Sequence, residues 1–282
     1  MSFLIAQISD THLSAQKPFF VENFEAVAES LGESLPDLVV NTGDVSLNGA
    51  DLREDLETGR DLHERIGLTW RAIPGNHDIG DNRETETKQP VDAERVARWR
   101  EVMGADFWQM EAPGWLIIGL NSLVLGSGLD ADREQIAFLS ESVAGLDGRA
   151  LLLFLHKPLF DADPGETEVS GRFVNPEPRR VLFETLGDIR PRLVGCGHVH
   201  QYRDHVASSM RHIWAPGTSF IVPRWFGPDY GIRTIGYVEH LLEPDGSFAS
   251  RFTSVGGTVV HDLGNIPEAY GDLRRYRERA HA

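Results

Sequence analysis

The sequence predicts an α/β fold from two patterns. Over the first two-thirds of the 282 residues, short apolar runs alternate with segments of helical period. After residue 200 the helical segments give way to short alternating strands, which suggests an α/β domain finished by an extra sheet. Apolar residues are 41% and charged residues 25% of the chain, the balance of a soluble globular protein of one large or two small domains.

The elements follow in order. "FLIAQI" (3–8) reads as a buried strand. A helix over 19–31 places Phe20, Phe24, Val27 and Leu31 on one face. A strand at 37–41 precedes a polar helix over 51–66, with Leu52, Leu56 and Ile66 inward. "TWRAI" (69–73) is the next strand, residues 80–92 are irregular, and Val96, Trp99 and Met103 mark a helix. A strand at 114–121 is followed by a helix capped by Asp132, with Ile136, Leu139 and Val143 as its apolar face. "ALLLFL" (150–155), a helix at 178–187 and "RLVGC" complete the alternation. "RHIWA", "TIGYVEHLL" and "SFASRFTSV" are the late strands. The expected organisation is one domain over 1–263, with a motif-bearing part at 3–200 and a β-rich completion at 201–263. Residues 264–282 read as a polar C-terminal tail or surface helix.

Composition narrows the partners. Acidic residues number 43 against 27 basic, a formal charge of −16, so the surface repels nucleic acid polymers and anionic membranes. No apolar run reaches bilayer-spanning length, and "MSFLIAQISD" lacks a basic region and a cleavage site for a signal peptide. The single cysteine, Cys196, excludes an internal disulfide and reads as a small core residue, so a cytoplasmic location is the simplest expectation.

Five apolar runs end alike. They lead into Asp10-Thr-His12, Gly43-Asp44, Gly75-Asn76-His77-Asp78, His156-Lys157-Pro158 and Gly197-His198-Val199-His200. In open α/β sheets the ligand crevice lies beyond the carboxyl ends of the strands, so these polar residues are expected to converge. Carboxylate and imidazole without thiolate suit first-row ions such as Mn, Fe or Zn. Seven candidate ligands are too many for one small ion and suit a pair bridged by a carboxylate.

These five motifs, in this order, resemble those of the calcineurin-like metallophosphoesterases. The resemblance implies two packed mixed β-sheets flanked by helices, a four-layer sandwich with extra C-terminal strands. It implies that Asp10, His12 and His200 bind one metal, that Asn76, His156 and His198 bind the other, and that Asp44 bridges them. His77 would face the substrate phosphate, with Asp78 orienting it, and a hydroxide bridging the ions would attack phosphorus. The continuation "GDVSLNG" and the ending "GNHD" depart from the protein phosphatases of the family. Leu47 stands where purple acid phosphatases carry a metal-bound Tyr. The closest likeness is to small-molecule phosphodiesterases of the cyclic-nucleotide and glycerophosphodiester type, although Lys157 replaces the second His of their His-His-Pro. Phosphomonoesterase or nucleotide pyrophosphatase activity, or a non-catalytic scaffold of the same fold, are the alternatives.

With two divalent ions, two carboxylates and a hydroxide, the site carries a formal charge of about +1, which matches a phosphodiester monoanion. A small phosphorylated substrate is the expected partner, and a homo-oligomer is compatible with the sequence. Loops 161–178 and 215–231 are candidates to shape the pocket, the second through Arg224, Trp225, Phe226 and Tyr230. The remaining histidines, 63, 205, 212, 240, 261 and 281, read as surface or core packing.

Overall fold

The computed structural model describes residues 1–85 and 88–274. The chain runs β1 (Phe3–Ile8), α1 (Val21–Ser34), β2 (Leu38–Asn41), α2 (Arg53–Glu64), β3 (Trp70–Ala72), α3 (Asn76–Ile79), α4 (Ala93–Met103), β4 (Trp108–Ala112) and β5 (Trp115–Gly119). It continues through α5 (Asp130–Ala144), β6 (Ala150–Phe154), α6 (Pro176–Leu186), β7 (Leu193–Cys196), β8 (Arg203–Ala207), β9 (Met210–Trp214) and β10 (Phe220–Ile221). The last elements are β11 (Tyr237–Leu242), β12 (Phe248–Thr253), β13 (His261–Asp262), a short 3₁₀ turn and α7 (Pro267–Tyr270).

Two mixed sheets pack face to face. One has the order β12-β11-β1-β2-β3, the other β4-β5-β6-β7-β9-β8. Strand alternation builds the layers. Leu38 and Val40 point between the sheets, where Trp115, Ile117, Leu152 and Phe154 meet them. Val39 points the other way, onto Phe24, Val27 and Leu31 of α1. On the far side, Leu151, Leu153 and Val194 pack against Leu139 of α5 and Leu182 of α6. The result is the expected four-layer helix–sheet–sheet–helix sandwich.

The late strands do not form an extra main sheet. β11 pairs antiparallel with β1 and β12 with β11, while β8 and β9 extend the second sheet; only β10 and β13 make a separate two-stranded pair. Unpaired strand edges expose backbone donors and acceptors, and both sheets are lengthened by this late chain. Strands β4 and β8 were not foreseen. Leu52, expected inward, immediately precedes α2 and is 39% exposed. The helix expected to be capped by Asp132 begins earlier, at Asp130, and the Asp132 carboxylate accepts from the Gly128 backbone N–H at 3.3 Å.

A buried polar chain joins the sheets beneath their carboxyl ends. Gln7 donates from Nε2 to Thr42 Oγ1 and to the Cys196 carbonyl at 3.2 and 3.1 Å, and its Oε1 lies 2.9 Å from His240 Nε2. His63 bonds the Gly59 carbonyl and Asn41, whose Oδ1 accepts from the Gly43 N–H. Both histidines are thus structural, and burial lowers His63 to about 4 and His240 to about 3.

Candidate metal centre

Strands β1, β2 and β3 run parallel, as do β5, β6, β7 and β9 in the other sheet. The loops after β1, β2, β3, β6 and β7 therefore meet at one end of the sandwich. The loop after β1 is laced to the loop after β2: Asp10 N–H donates to Gly43 O, His12 N–H to Asp44 O and Leu13 N–H to Val45 O, at 2.9, 3.0 and 2.9 Å.

The backbone here is strained. Asp10, His12, Asp44, His198 and His200 all lie in the left-handed region, with φ of 53°, 46°, 52°, 69° and 53°. Non-glycine residues seldom adopt it, and clusters of such residues mark functional sites. The glycines beside them permit close approach. A Cβ on Gly75 would collide with the Asp44 amide and carboxylate, and one on Gly197 with Ser9 and Asp10.

The seven candidate ligands converge. His12 Nε2 lies 3.3 Å from His200 Nε2 and 3.8 Å from Asp44 Oδ2, and His200 Nε2 lies 3.4 Å from Asp10 Oδ1. Across the shared Asp44, His156 Nε2 lies 3.4 Å from Asp44 Oδ2, 3.2 Å from Asn76 Oδ1 and 3.1 Å from His198 Nδ1. Asp10, His12 and His200 form one group of mutually close donor atoms; Asp44, His156 and His198 form another.

The outer nitrogens define what the inner ones offer. His156 Nδ1 donates to Thr42 O at 2.8 Å, His198 Nε2 to Gly171 O at 2.9 Å and His200 Nδ1 to Phe220 O at 2.9 Å. In neutral imidazole the opposite nitrogen then carries a lone pair. Lone pairs and carboxylate oxygens consequently face one another across a few ångströms, which only positive charge reconciles. Burial lowers His12 and His198 well below the usual histidine range. Burial opposes a charge on His156 as well, yet Asp44 outweighs it and raises that residue to about 9. The cluster draws positive charge to the position beside the shared carboxylate, and its donor set fits a pair of first-row ions.

His77 sits half-buried at the floor of the cleft. Its backbone N–H donates to Asp44 Oδ1 at 2.8 Å, and its ring lies against His12 with centroids 4.9 Å apart. Its ring nitrogen also lies close enough to His12 and Asp44 to form a third potential ligand group. Asp78 is bonded to the backbone around the site. Its carboxylate accepts from the N–H groups of Val45, Ser46 and Gly75 and from the Ser46 hydroxyl, between 2.6 and 3.1 Å. These four bonds clamp the Asp44 loop to the Gly75 turn; they do not orient the His77 ring. Burial, followed by the Asp44 charge, raises Asp78 to about 6.

The cleft above this cluster has a volume of about 610 Å³. Leu47, Phe220, Val222, Phe226, Leu263 and Leu273 form an apolar side, while Lys17, Lys88 and Asn48 contribute polar groups. Of the four residues expected from loop 215–231, only Phe226 lines this cleft. Arg224 and Trp225 are exposed, and Tyr230 lines a separate depression with Arg172 and Glu166. Loop 161–178 contributes the Gly171 carbonyl that holds His198. Lys157, at the variant motif position, is buried and ion-paired with Asp81.

Sequence reasoning missed the C-terminal segment. Residues 264–274 do not form a free tail: Ala269 and Leu273 are buried beside Phe20, Leu47 and Phe220, and Tyr270 enters the cleft. The only sequence signal was the apolar spacing of Ile266, Ala269, Tyr270 and Leu273 within a charged stretch. Residues 275–282, including His281, lie outside the described residues.

Several solved structures share the fold. The chain is similar to a dimetal phosphatase from Danio rerio, at 12% identity and TM-score 0.61, covering 91% of this chain and 96% of that one. It is similar to a purple acid phosphatase from yellow lupin, at 15% identity and TM-score 0.64, covering 94% of this chain and 55% of that one. A third likeness, at 13% identity and TM-score 0.62, is to GAP50, described as the anchor in the inner membrane complex of Plasmodium, covering 92% of this chain and 87% of that one. No curated protein matches at a significant level. Among the described residues, no helix is long and apolar enough to cross a membrane. The model of the calcineurin-like phosphoesterase family matches residues 3–202, the span that carries all five motifs, and the chain belongs to that family.

Proposed function

We propose that this protein hydrolyses small phosphodiesters with a pair of first-row metal ions, Fe, Mn or Zn, held in the cleft. The supporting observation is the doubled cluster of inward-facing lone pairs on either side of Asp44. Asp10, His12 and His200 would hold one ion, Asn76, His156 and His198 the other, and Asp44 both. When bound, such a pair polarises phosphate and lowers the pKa of water toward neutrality.

The chain's own groups have distinct tasks in this reading. The Thr42, Gly171 and Phe220 carbonyls set the tautomers of three ligand imidazoles. Asp78 and the Gly75 turn hold Asp44 and His77 in register. His77, open to the cleft, protonates the leaving oxygen. Asn76 supplies a neutral oxygen and leaves the local charge positive. The apolar wall suits a substrate with an aromatic or aliphatic group next to the phosphate. The acidic surface, at −16 overall, disfavours a phosphomonoester dianion relative to a diester monoanion. A cytoplasmic setting agrees with the one cysteine, which is buried and unpaired.

The test compares kcat/KM for bis-p-nitrophenyl phosphate and p-nitrophenyl phosphate, with metal content measured on the same sample. We expect diester preference, loss of turnover on chelation and recovery with Mn. A tenfold monoester preference with a divalent pair bound overturns the diester assignment. Absence of turnover between pH 6 and 9 with metals bound points instead to a binding scaffold.

A further inference from the structure

Among the four candidate histidine ligands, three are held from outside by backbone carbonyls, those of Thr42, Gly171 and Phe220. His12 differs. Its Nδ1 is held by the phenol of Tyr270, a residue 258 positions away. The same hydroxyl donates to the Leu47 carbonyl at 3.2 Å. With its proton committed to Leu47, the phenol offers His12 a lone pair. An Nδ1–H donated to that lone pair leaves Nε2 unprotonated, facing His200 Nε2 and Asp44.

The segment carrying Tyr270 is docked independently of this hydrogen bond. Ala269 and Leu273 are buried with Phe20, Leu47, Phe220 and Leu263. Lys17 Nζ donates to the Ala269 carbonyl at 3.1 Å. The Tyr270 ring lies 4.7 Å from that of His77 and 5.6 Å from that of His12, so its aromatic plane is wedged beside the reacting end of the cleft. Leu47 is both the acceptor of the phenol proton and part of the apolar wall.

We propose that Tyr270 is a positioning residue of the metal centre, supplied by the C-terminal segment, which holds His12 in the tautomer that binds the deeper ion. The inference rests on the metal-centre reading above and assigns a role to a segment outside the family-matching span, 3–202. It predicts an asymmetric defect. Removing the hydroxyl weakens the ion shared by Asp10, His12 and His200 and spares the ion at Asn76, His156 and His198.

The experiment titrates Zn or Mn into chelator-treated wild type and Tyr270→Phe by calorimetry. The variant keeps the ring and its packing. We expect one of the two affinities to fall by roughly 10–100-fold, the range seen when an outer partner of a ligand is removed, with the other unchanged. Equal isotherms overturn the inference while leaving the metal centre intact. A wild type that takes up no metal overturns the metal centre itself and this inference with it. A second measurement does not depend on the variant's folding. Nitrogen-15 spectra of zinc-loaded wild type should show a His12 Nδ1 proton with a close contact to the Tyr270 ring, and a His12 protonated at Nε2 instead would overturn the assignment.

Discussion

The two halves of the cleft are built differently. In the deeper half, Asp10, His12 and His200 are almost wholly buried, and all three have left-handed backbones. In the other half, Asn76 and His198 are half-buried and line the cleft; of its three candidate ligands only His198 is left-handed. The deeper half collects support from distant chain: Ser219 donates to Asp10 O, Phe220 O holds His200, and Tyr270 holds His12. The open half relies on the ends of β3, β6 and β7, on the Thr42 carbonyl just beyond β2 and on one carbonyl of loop 161–178. In the proposed function, the buried, over-determined half would hold its ion firmly, and the open half with its neutral amide would leave its ion accessible to substrate.

The largest effect should come from the residue that belongs to both halves. Asp44→Asn is expected to abolish the difference by emptying both sites. Metal binding should fall by more than the roughly 10–100-fold typical of outer partners, and activity should fall with it. Elemental analysis and turnover on one preparation decide this. Retention of two ions would mean that Asp44 is not shared.

His77 sharpens the comparison because it touches both Asp44 and the deeper half without being assigned to either. His77→Ala should reduce turnover by on the order of 100-fold, as for a general acid, with metal stoichiometry unchanged. Loss of an ion in this variant would instead move His77 into the ligand group it forms with His12 and Asp44.

The smallest expected effect lies beneath the cleft, in the scaffold common to both halves. His63 and His240 are buried neutral, with pKa values lowered to about 4 and about 3. Unfolded histidine titrates near 6.5, so the unfolded chain binds more protons below that pH. Their contribution to stability is therefore complete above about pH 6.5 and is lost as the pH falls toward 4 and then 3. Each contributes a slope of up to about 1.4 kcal/mol per pH unit in that window. Denaturant titrations of metal-free protein between pH 7.5 and 4.5 should show the loss, and His240→Gln should flatten it. An unchanged slope in that variant would show that His240 does not carry it.

Most of the α/β architecture was legible because its signals are local. Leu38, Val39 and Val40 form a continuous apolar run because β2 is covered on both faces. Phe24, Val27 and Leu31 recur at helical spacing because α1 has a single buried face. Strand β4 carries the period-2 alternation of a half-buried strand, with Gln109 and Glu111 outward, but over only five residues, and the two-residue strands β10 and β13 are too short to have any pattern.

The site divides along the same line. The sequence by itself determined the five strand-end motifs, since each candidate ligand lies within a few residues of a strand whose direction sets where it points. Only the tertiary structure decided how those ligands are held. Asp78 clamps a loop more than thirty residues upstream, Gly171 holds His198 from a loop rich in glycine, proline and acidic residues, and Tyr270 reaches His12 from 258 positions away. Such contacts leave no period in the sequence. They arise from the closing of two sheets upon each other, which brings residues together that the chain itself keeps apart.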